Sequence, residues 1–161
     1  MSIKNLKPVF GGKFKQGYFK PSNVSKYIGD PNKIIARSSW EAKFMSWCDQ
    51  HPSVLRWSSE PVAIPYISPL DKRAHKYYVD FYVVTMKEEK ELQWLIEIKP
   101  AAQFKPPDPM MLEGNRTLKK IQSYNWQLRT FIINSAKFES AVKFAQERNM
   151  RFAIADENFL F

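Results

Sequence analysis

Apolar residues recur along this chain with two distinct periods, and the changes of period divide it into elements. Trp40, Phe44, Trp47 and Cys48 fall at i, i+4, i+7 and i+8, one face of a helix over 38–50, and Pro52 closes that segment. Three strand-like runs follow. Val62 to Ile67 alternates but is interrupted by Pro65, as at a sheet edge or bulge. Residues 76–86 (KYYVDFYVVTM) are rich in β-branched and aromatic types, and 92–98 (LQWLIEI) resume after a charged turn at 87–91. Those two runs predict a hairpin. Residues 100–110 hold four prolines and read as a loop. Beyond it the pattern predicts a helix over 112–127, a strand at 130–133, a second helix over 136–148 and a closing strand at 151–155. This order predicts an α/β fold, a mixed central β-sheet flanked by helices.

The first third behaves differently. Gly11, Gly12, Gly17, Pro21, Gly29 and Pro31 punctuate residues 1–33, which read as an irregular, partly flexible arm ahead of a single domain at 34–161. Charge separates the same two regions. Residues 1–37 carry eight Lys and Arg against Asp30 alone, so +7 of the net +9 resides there. A basic arm on a nearly neutral body fits a polyanionic partner, with Lys13, Lys15, Lys20, Lys26 and Arg37 as candidate DNA contacts. Phe10, Phe14, Tyr18, Phe19 and Tyr27 are interleaved with the lysines, to stack on bases or to anchor the arm to the body. Lys119 and Lys120, in the helix after the 92–98 strand, either reach the same polyanion or form a solvated basic face. No run of 18 apolar residues exists, so no membrane partner is expected, and the N-terminus lacks the pattern of a secretory signal. One cysteine and two histidines offer no zinc set, and no glycine-rich phosphate or dinucleotide fingerprint appears, so no organic cofactor is expected. Cys48, Trp94, Trp126 and Phe131 read as core.

Chemistry concentrates at Asp80 and at Glu97-Ile98-Lys99. A strand has period two, so Glu97 and Lys99 share one face with Leu95, and Trp94, Ile96 and Ile98 share the other. On the preceding strand Asp80 projects with Tyr78 and Tyr82, opposite Val79, Phe81 and Val83. If the strands pair through the 87–91 turn, Asp80 can face Glu97. Two adjacent carboxylates and an ammonium form either a hard-cation site for Mg²⁺ or Mn²⁺ or a charged hairpin surface. The apolar surroundings make idle charges costly there. Glu41 adds a third acid, and it too has two readings. Ser38-x-x-Glu41 is a capping box, in which Glu41 would bond back to the Ser38 N–H.

A helix glutamate, Tyr78-Val79-Asp80-Phe81 and Glu97-Ile98-Lys99 together resemble the PD-(D/E)XK nuclease superfamily. Val79 stands where that family usually has proline. Ser58-Ser59-Glu60-Pro61 with Ile64-Pro65-Tyr66 resembles the branch containing the endonuclease subunit of heteromeric transposases. Gly29-Asp30-Pro31-Asn32-Lys33 and Arg37-Ser38-Ser39-Trp40-Glu41 extend the likeness to the head-completion nucleases of tailed bacteriophages, over about residues 15–155. The resemblance implies a restriction-endonuclease-like core. It implies Asp80, Glu97 and the Ile98 backbone carbonyl as Mg²⁺ ligands, with Mn²⁺ able to substitute. Lys99 would be the catalytic lysine, and Glu41 would complete the site directly or through water. Glu60 would support it from behind or pair with Arg37 or Arg56. The implied activity is hydrolysis of DNA phosphodiesters with little sequence specificity, trimming ends during phage head completion. The implied partners are DNA and portal or neck proteins, in the host cytoplasm and at the head vertex of the virion. The alternative is a non-catalytic head-completion protein that binds DNA or the portal.

Overall fold

The computed structural model describes residues 16–160. In chain order the elements are β1 (Gly17–Tyr18), β2 (Ile35–Ala36), α1 (Ser39–Gln50), β3 (Val54–Ser59), β4 (Ala63–Ile67), β5 (Ala74–Tyr78), β6 (Phe81–Lys87), β7 (Lys90–Ile98), α2 (Leu118–Gln146), β8 (Arg151–Ala155) and α3 (Glu157–Leu160). A four-stranded sheet runs β3-β6-β7-β8. Its first three strands are antiparallel, and β8 lies parallel to β7 after the crossover through α2. Strands β4 and β5 form a separate ribbon, and β1 with β2 a shorter one. The fold is therefore α/β, a mixed central sheet flanked by helices, as the pattern predicts.

The sheet separates two apolar layers. On one face Phe44, Met45 and Cys48 of α1 pack with Trp57, Phe81, Val83 and Ile98. On the other, Ala141 and Ala145 of α2 meet Ile64, Tyr66, Tyr77, Val79 and Leu95. These alanines, four residues apart on one helix face, let α2 lie close to the sheet. Leu95 thus separates from Ile96 and Ile98 as strand phase predicts. Burial pushes the Cys48 thiol well up, in keeping with a packing role.

Several sequence expectations need correction. The run 76–86 is not one strand. It breaks at Val79–Asp80, with β5 in the ribbon and β6 in the central sheet. Val79 consequently packs with Tyr77 and Tyr82, not with Phe81 and Val83. The strand expected at 130–133 is the middle of α2, one helix of 29 residues that replaces both shorter predicted helices. No glycine or proline interrupts it, and packing on the sheet overrides the β-preference of Thr130-Phe131-Ile132-Ile133. Strand β3 was hidden in the pattern, because a register shift between Val54 and Arg56 breaks its alternation. Trp126 is 61% exposed rather than core.

The described part of the basic arm is docked. Phe19 is buried edge-on to Trp57 at 5.9 Å, and Tyr27 meets the same ring at 4.8 Å. The N–H groups of Ser22 and Asn23 donate to the carboxylate of buried Asp49, at 2.9 and 3.0 Å. Phe19 and Tyr27 therefore anchor the chain to the body. Phe10, Phe14, Lys13 and Lys15 lie outside the described residues.

Candidate active site

The acidic pair forms where three elements end together. Asp80 sits in the two-residue step between β5 and β6, just beyond the last ladder pair, Phe81 with Ile96. Its carbonyl accepts the N–H of Glu60 at 2.8 Å, which ties the step to the end of β3. Glu60 itself takes a left-handed φ of 46° at that bend. Leaving the strand frees the Asp80 carboxylate to turn, and its Oδ2 accepts the Ile98 N–H at 2.7 Å. Asp80 stands one step past the Phe81–Ile96 pair, in register with Glu97, and the bond from the Ile98 N–H ties it to the end of β7.

Glu97 is 4% exposed and held on both oxygens. Tyr77 Oη donates to Oε2 at 2.6 Å, and Lys99 Nζ pairs with Oε1 at 2.9 Å. Strand phase places Glu97 and Lys99 on one side of β7, and the ion pair shows them meeting there. Tyr77 comes from β5. Its role was invisible in the sequence, where it read as a strand aromatic.

Glu41 closes a third side from the first turn of α1. The Oγ of Ser38 accepts the Glu41 N–H at 3.1 Å. In return Glu41 accepts the Arg37 N–H at 3.0 Å and the Ser38 hydroxyl at 3.1 Å. The capping box is present with one change: the carboxylate reaches the N–H of Arg37, one residue earlier than expected. The Arg37 guanidinium clamps Glu60 with two bonds, 2.9 and 3.0 Å, whereas Arg56 pairs with Glu91. Of the two partners considered for Glu60, the structure selects Arg37.

These placements set the electrostatics. Burial, followed by the negative charge of Glu97, pushes the Asp80 carboxyl up to about 8, against the opposing bond from Ile98. Glu41 adds to that rise and Lys99 reduces it. Glu41 is itself raised by burial, with the Arg37 and Ser38 bonds opposing. The Tyr77 hydroxyl is driven far up by burial and by Glu97, so it acts as a fixed donor. Burial therefore opposes ionisation of the Asp80 and Glu41 carboxyls, and the approach of Glu97 to Asp80 adds repulsion. Hard carboxylate oxygens so placed suit a divalent cation, whose charge offsets both costs. Asp80 and Glu97 would hold it, with the Ile98 carbonyl at the same strand end as a further oxygen donor. Among the described residues no three His, Cys, Asp or Glu side chains form a complete cage.

A family model described as TnsA-like endonuclease N terminal matches residues 51–157, a span that contains Asp80, Glu97 and Lys99. The chain belongs to that family. It is also 33% identical over 144 residues to the head completion nuclease of Enterobacteria phage T4, covering 89% of this chain and 92% of that one. No solved structure gave a significant match. The resemblance to phage head-completion nucleases and to the transposase endonuclease branch is thereby established.

The candidate DNA contacts of this TnsA-like chain are scattered. Arg37 stands beside the acidic group but is engaged by Glu60. Lys20 is exposed, and Lys26 donates to the His51 carbonyl at 2.9 Å, a tie within the fold. Lys119 and Lys120 are exposed in the first turn of α2. Asn134 and Lys137 lie on the inward face of the same helix, so Lys119 and Lys120 sit roughly 25 Å along its axis from Lys137. Lys137 reaches the site itself. Its Nζ lies 5.7 Å from the centre of the Tyr77 ring. The sequence placed Lys137 in a helix without showing which face it occupied.

Proposed function

We propose that this protein is a divalent-metal-dependent DNA nuclease that hydrolyses phosphodiesters with little sequence specificity. In this reading it trims DNA ends during phage head completion, in the host cytoplasm and at the head vertex beside portal or neck proteins. One observation carries the chemistry: Asp80 and buried Glu97 stand together at the end of β7, Asp80 held by the Ile98 N–H and Glu97 between Tyr77 and Lys99. Such a pair binds a cation readily, because the cation relieves both desolvation and mutual repulsion.

When bound, Mg²⁺ or Mn²⁺ supplies Lewis-acid polarisation of a phosphoryl oxygen and a lowered pKa for water. Glu97, gripped by Tyr77 and Lys99, presents a fixed donor with little freedom to rotate. Asp80 is oriented by the Ile98 N–H in the same way. Lys99, still partly exposed beyond Glu97, stabilises negative charge that develops on the phosphoryl oxygens and positions the attacking water. Glu41 adds negative charge on the Asp80 side while its hydrogen bonds hold it in place. Glu60 supports the site through Arg37. The family membership and the likeness to a head completion nuclease support a DNA substrate. Lys13, Lys15 and Lys20 would contribute contacts to backbone phosphate, independent of sequence.

The test uses linear and supercoiled DNA with Mg²⁺, Mn²⁺ or EDTA, beside Asp80→Ala and Lys99→Ala. Cleavage is expected for the wild type with either metal, and for neither variant. Identical behaviour of all three proteins under every condition would leave a non-catalytic DNA- or portal-binding protein.

A further inference from the structure

We propose that Lys137 of α2 is a second phosphate-binding group of the site, contacting the phosphodiester next to the one that is cleaved. This rests on the nuclease reading above.

The helix face decides where Lys137 points. Asn134, Ala141 and Ala145 are the buried residues of α2, and Lys137 follows Asn134 by three and precedes Ala141 by four. It therefore lies on the stripe that packs against β4, β5 and β7, where a lysine loses hydration. Its Nζ stands 5.9 Å from the centre of the Tyr66 ring and 5.7 Å from that of Tyr77. Among the described residues its ammonium makes no ion pair and no side-chain hydrogen bond.

Two tyrosine faces partly compensate the lost hydration of this half-buried ammonium, and its N–H groups can still donate to an incoming anion. The nearby carboxylates do not capture it. Glu97 is already taken by Tyr77 and Lys99, and Asp80 by the Ile98 N–H. Burial, and then the charge of Lys99, lower the pKa of Lys137, and Glu97 and Asp80 partly offset that at longer range by favouring its charged form. Lys137 is thus a cation beside the acidic pair yet not neutralised by it. A substrate phosphate is the anion that such a site must admit. Lys99 sits on Glu97 and Lys137 over the tyrosine rings, so in this proposal Lys99 serves the reacting phosphate and Lys137 its neighbour. A contact to a phosphate that does not react is made equally before and during the reaction, so it lowers KM without raising kcat.

Two variants test this, Lys137→Met and Lys137→Arg, because methionine keeps the stem and arginine keeps the charge. Duplex DNA binding is measured by fluorescence anisotropy in EDTA across a salt series, and cleavage by steady-state kinetics in Mg²⁺. For Lys137→Met the Kd at low salt should rise about tenfold and the log–log salt slope should flatten by about one. KM should rise with kcat held within about twofold, and Lys137→Arg should restore most of the binding. Unchanged Kd and slope in Lys137→Met, with the wild type binding and cutting normally, would reduce Lys137 to a packing residue and overturn the proposal. A fall in kcat at constant KM would also overturn it, by placing Lys137 on the reacting phosphate. Wild-type protein that neither binds nor cuts DNA would instead defeat the nuclease reading on which the proposal stands.

Discussion

Replacing Asp80 by Asn isolates the charge of the site, because asparagine keeps the shape and can still accept the Ile98 N–H but cannot ionise. The Asp80 carboxyl is pushed from 3.8 up to about 8, by burial first and then by Glu97. Below about pH 4 the folded and unfolded chains both carry the proton, and the group has no effect on stability. Between about pH 4 and pH 8 the unfolded chain has lost the proton while the folded chain retains it. Over that window the wild type loses about 1.4 kcal/mol of stability per pH unit. By pH 7 the loss reaches at most ~4 kcal/mol, and relaxation around a partly exposed carboxylate lowers it toward ~2 kcal/mol. In EDTA at pH 7, Asp80→Asn should therefore be more stable than wild type by about 2–4 kcal/mol. For a chain of 161 residues that corresponds to a Tm higher by roughly 5–15 °C. The gap should close as pH approaches 4. Mg²⁺ should raise the Tm of the wild type and leave the variant unmoved, because only the wild type gains by binding. Cleavage should be lost. The assay is thermal or urea denaturation from pH 4 to 8, with EDTA and then with increasing Mg²⁺. A variant no more stable than wild type, or a gap independent of pH, would refute the account of Asp80 as a carboxyl whose ionisation the fold opposes at a cost to stability.

Three further substitutions probe its neighbours. Tyr77→Phe removes the 2.6 Å donor to buried Glu97 and should cost about 1.5–3 kcal/mol in denaturation, with cleavage reduced about tenfold. Unchanged stability and rate would show that Lys99 alone orients Glu97. Glu41→Gln keeps an oxygen for the Arg37 N–H, so stability should fall by no more than about 1 kcal/mol while cleavage drops tenfold or more. Near-normal cleavage would leave Glu41 as a capping residue only. Asp49→Ala strips the acceptor from the Ser22 and Asn23 N–H groups and should destabilise the protein by ~3 kcal/mol. Limited proteolysis within residues 16–33 should accelerate in parallel, and an unaltered digestion pattern would mean that Phe19 and Tyr27 hold the segment unaided.

Local pattern alone determined the fold class, the α1 stripe, the β6–β7 hairpin and the common face of Glu97 and Lys99. Each depends only on period and on turn chemistry among residues close in sequence. Elsewhere long-range packing outweighed local preference. Thr130 to Ile133 prefer a strand when read alone, yet they lie in a helix because α2 must bury Asn134, Ala141 and Ala145 against the sheet. KYYVDFYVVTM reads as one strand, yet it serves two sheets, and the break turns Asp80 onto the Ile98 N–H. The choice of Arg37 over Arg56 for Glu60 likewise depended on which strand ends lay together. Asp80, Glu97, Lys99 and Glu41 were legible as candidates because carboxylates and a lysine at strand and helix ends name a chemistry. Tyr77 and Lys137 were not, since a tyrosine in a strand and a lysine in a helix are ordinary until the fold shows what they face. Sequence thus determined which groups could act here. The tertiary structure decided how they are charged, because burial and the approach of Glu97 to Asp80 arise only when separate elements pack.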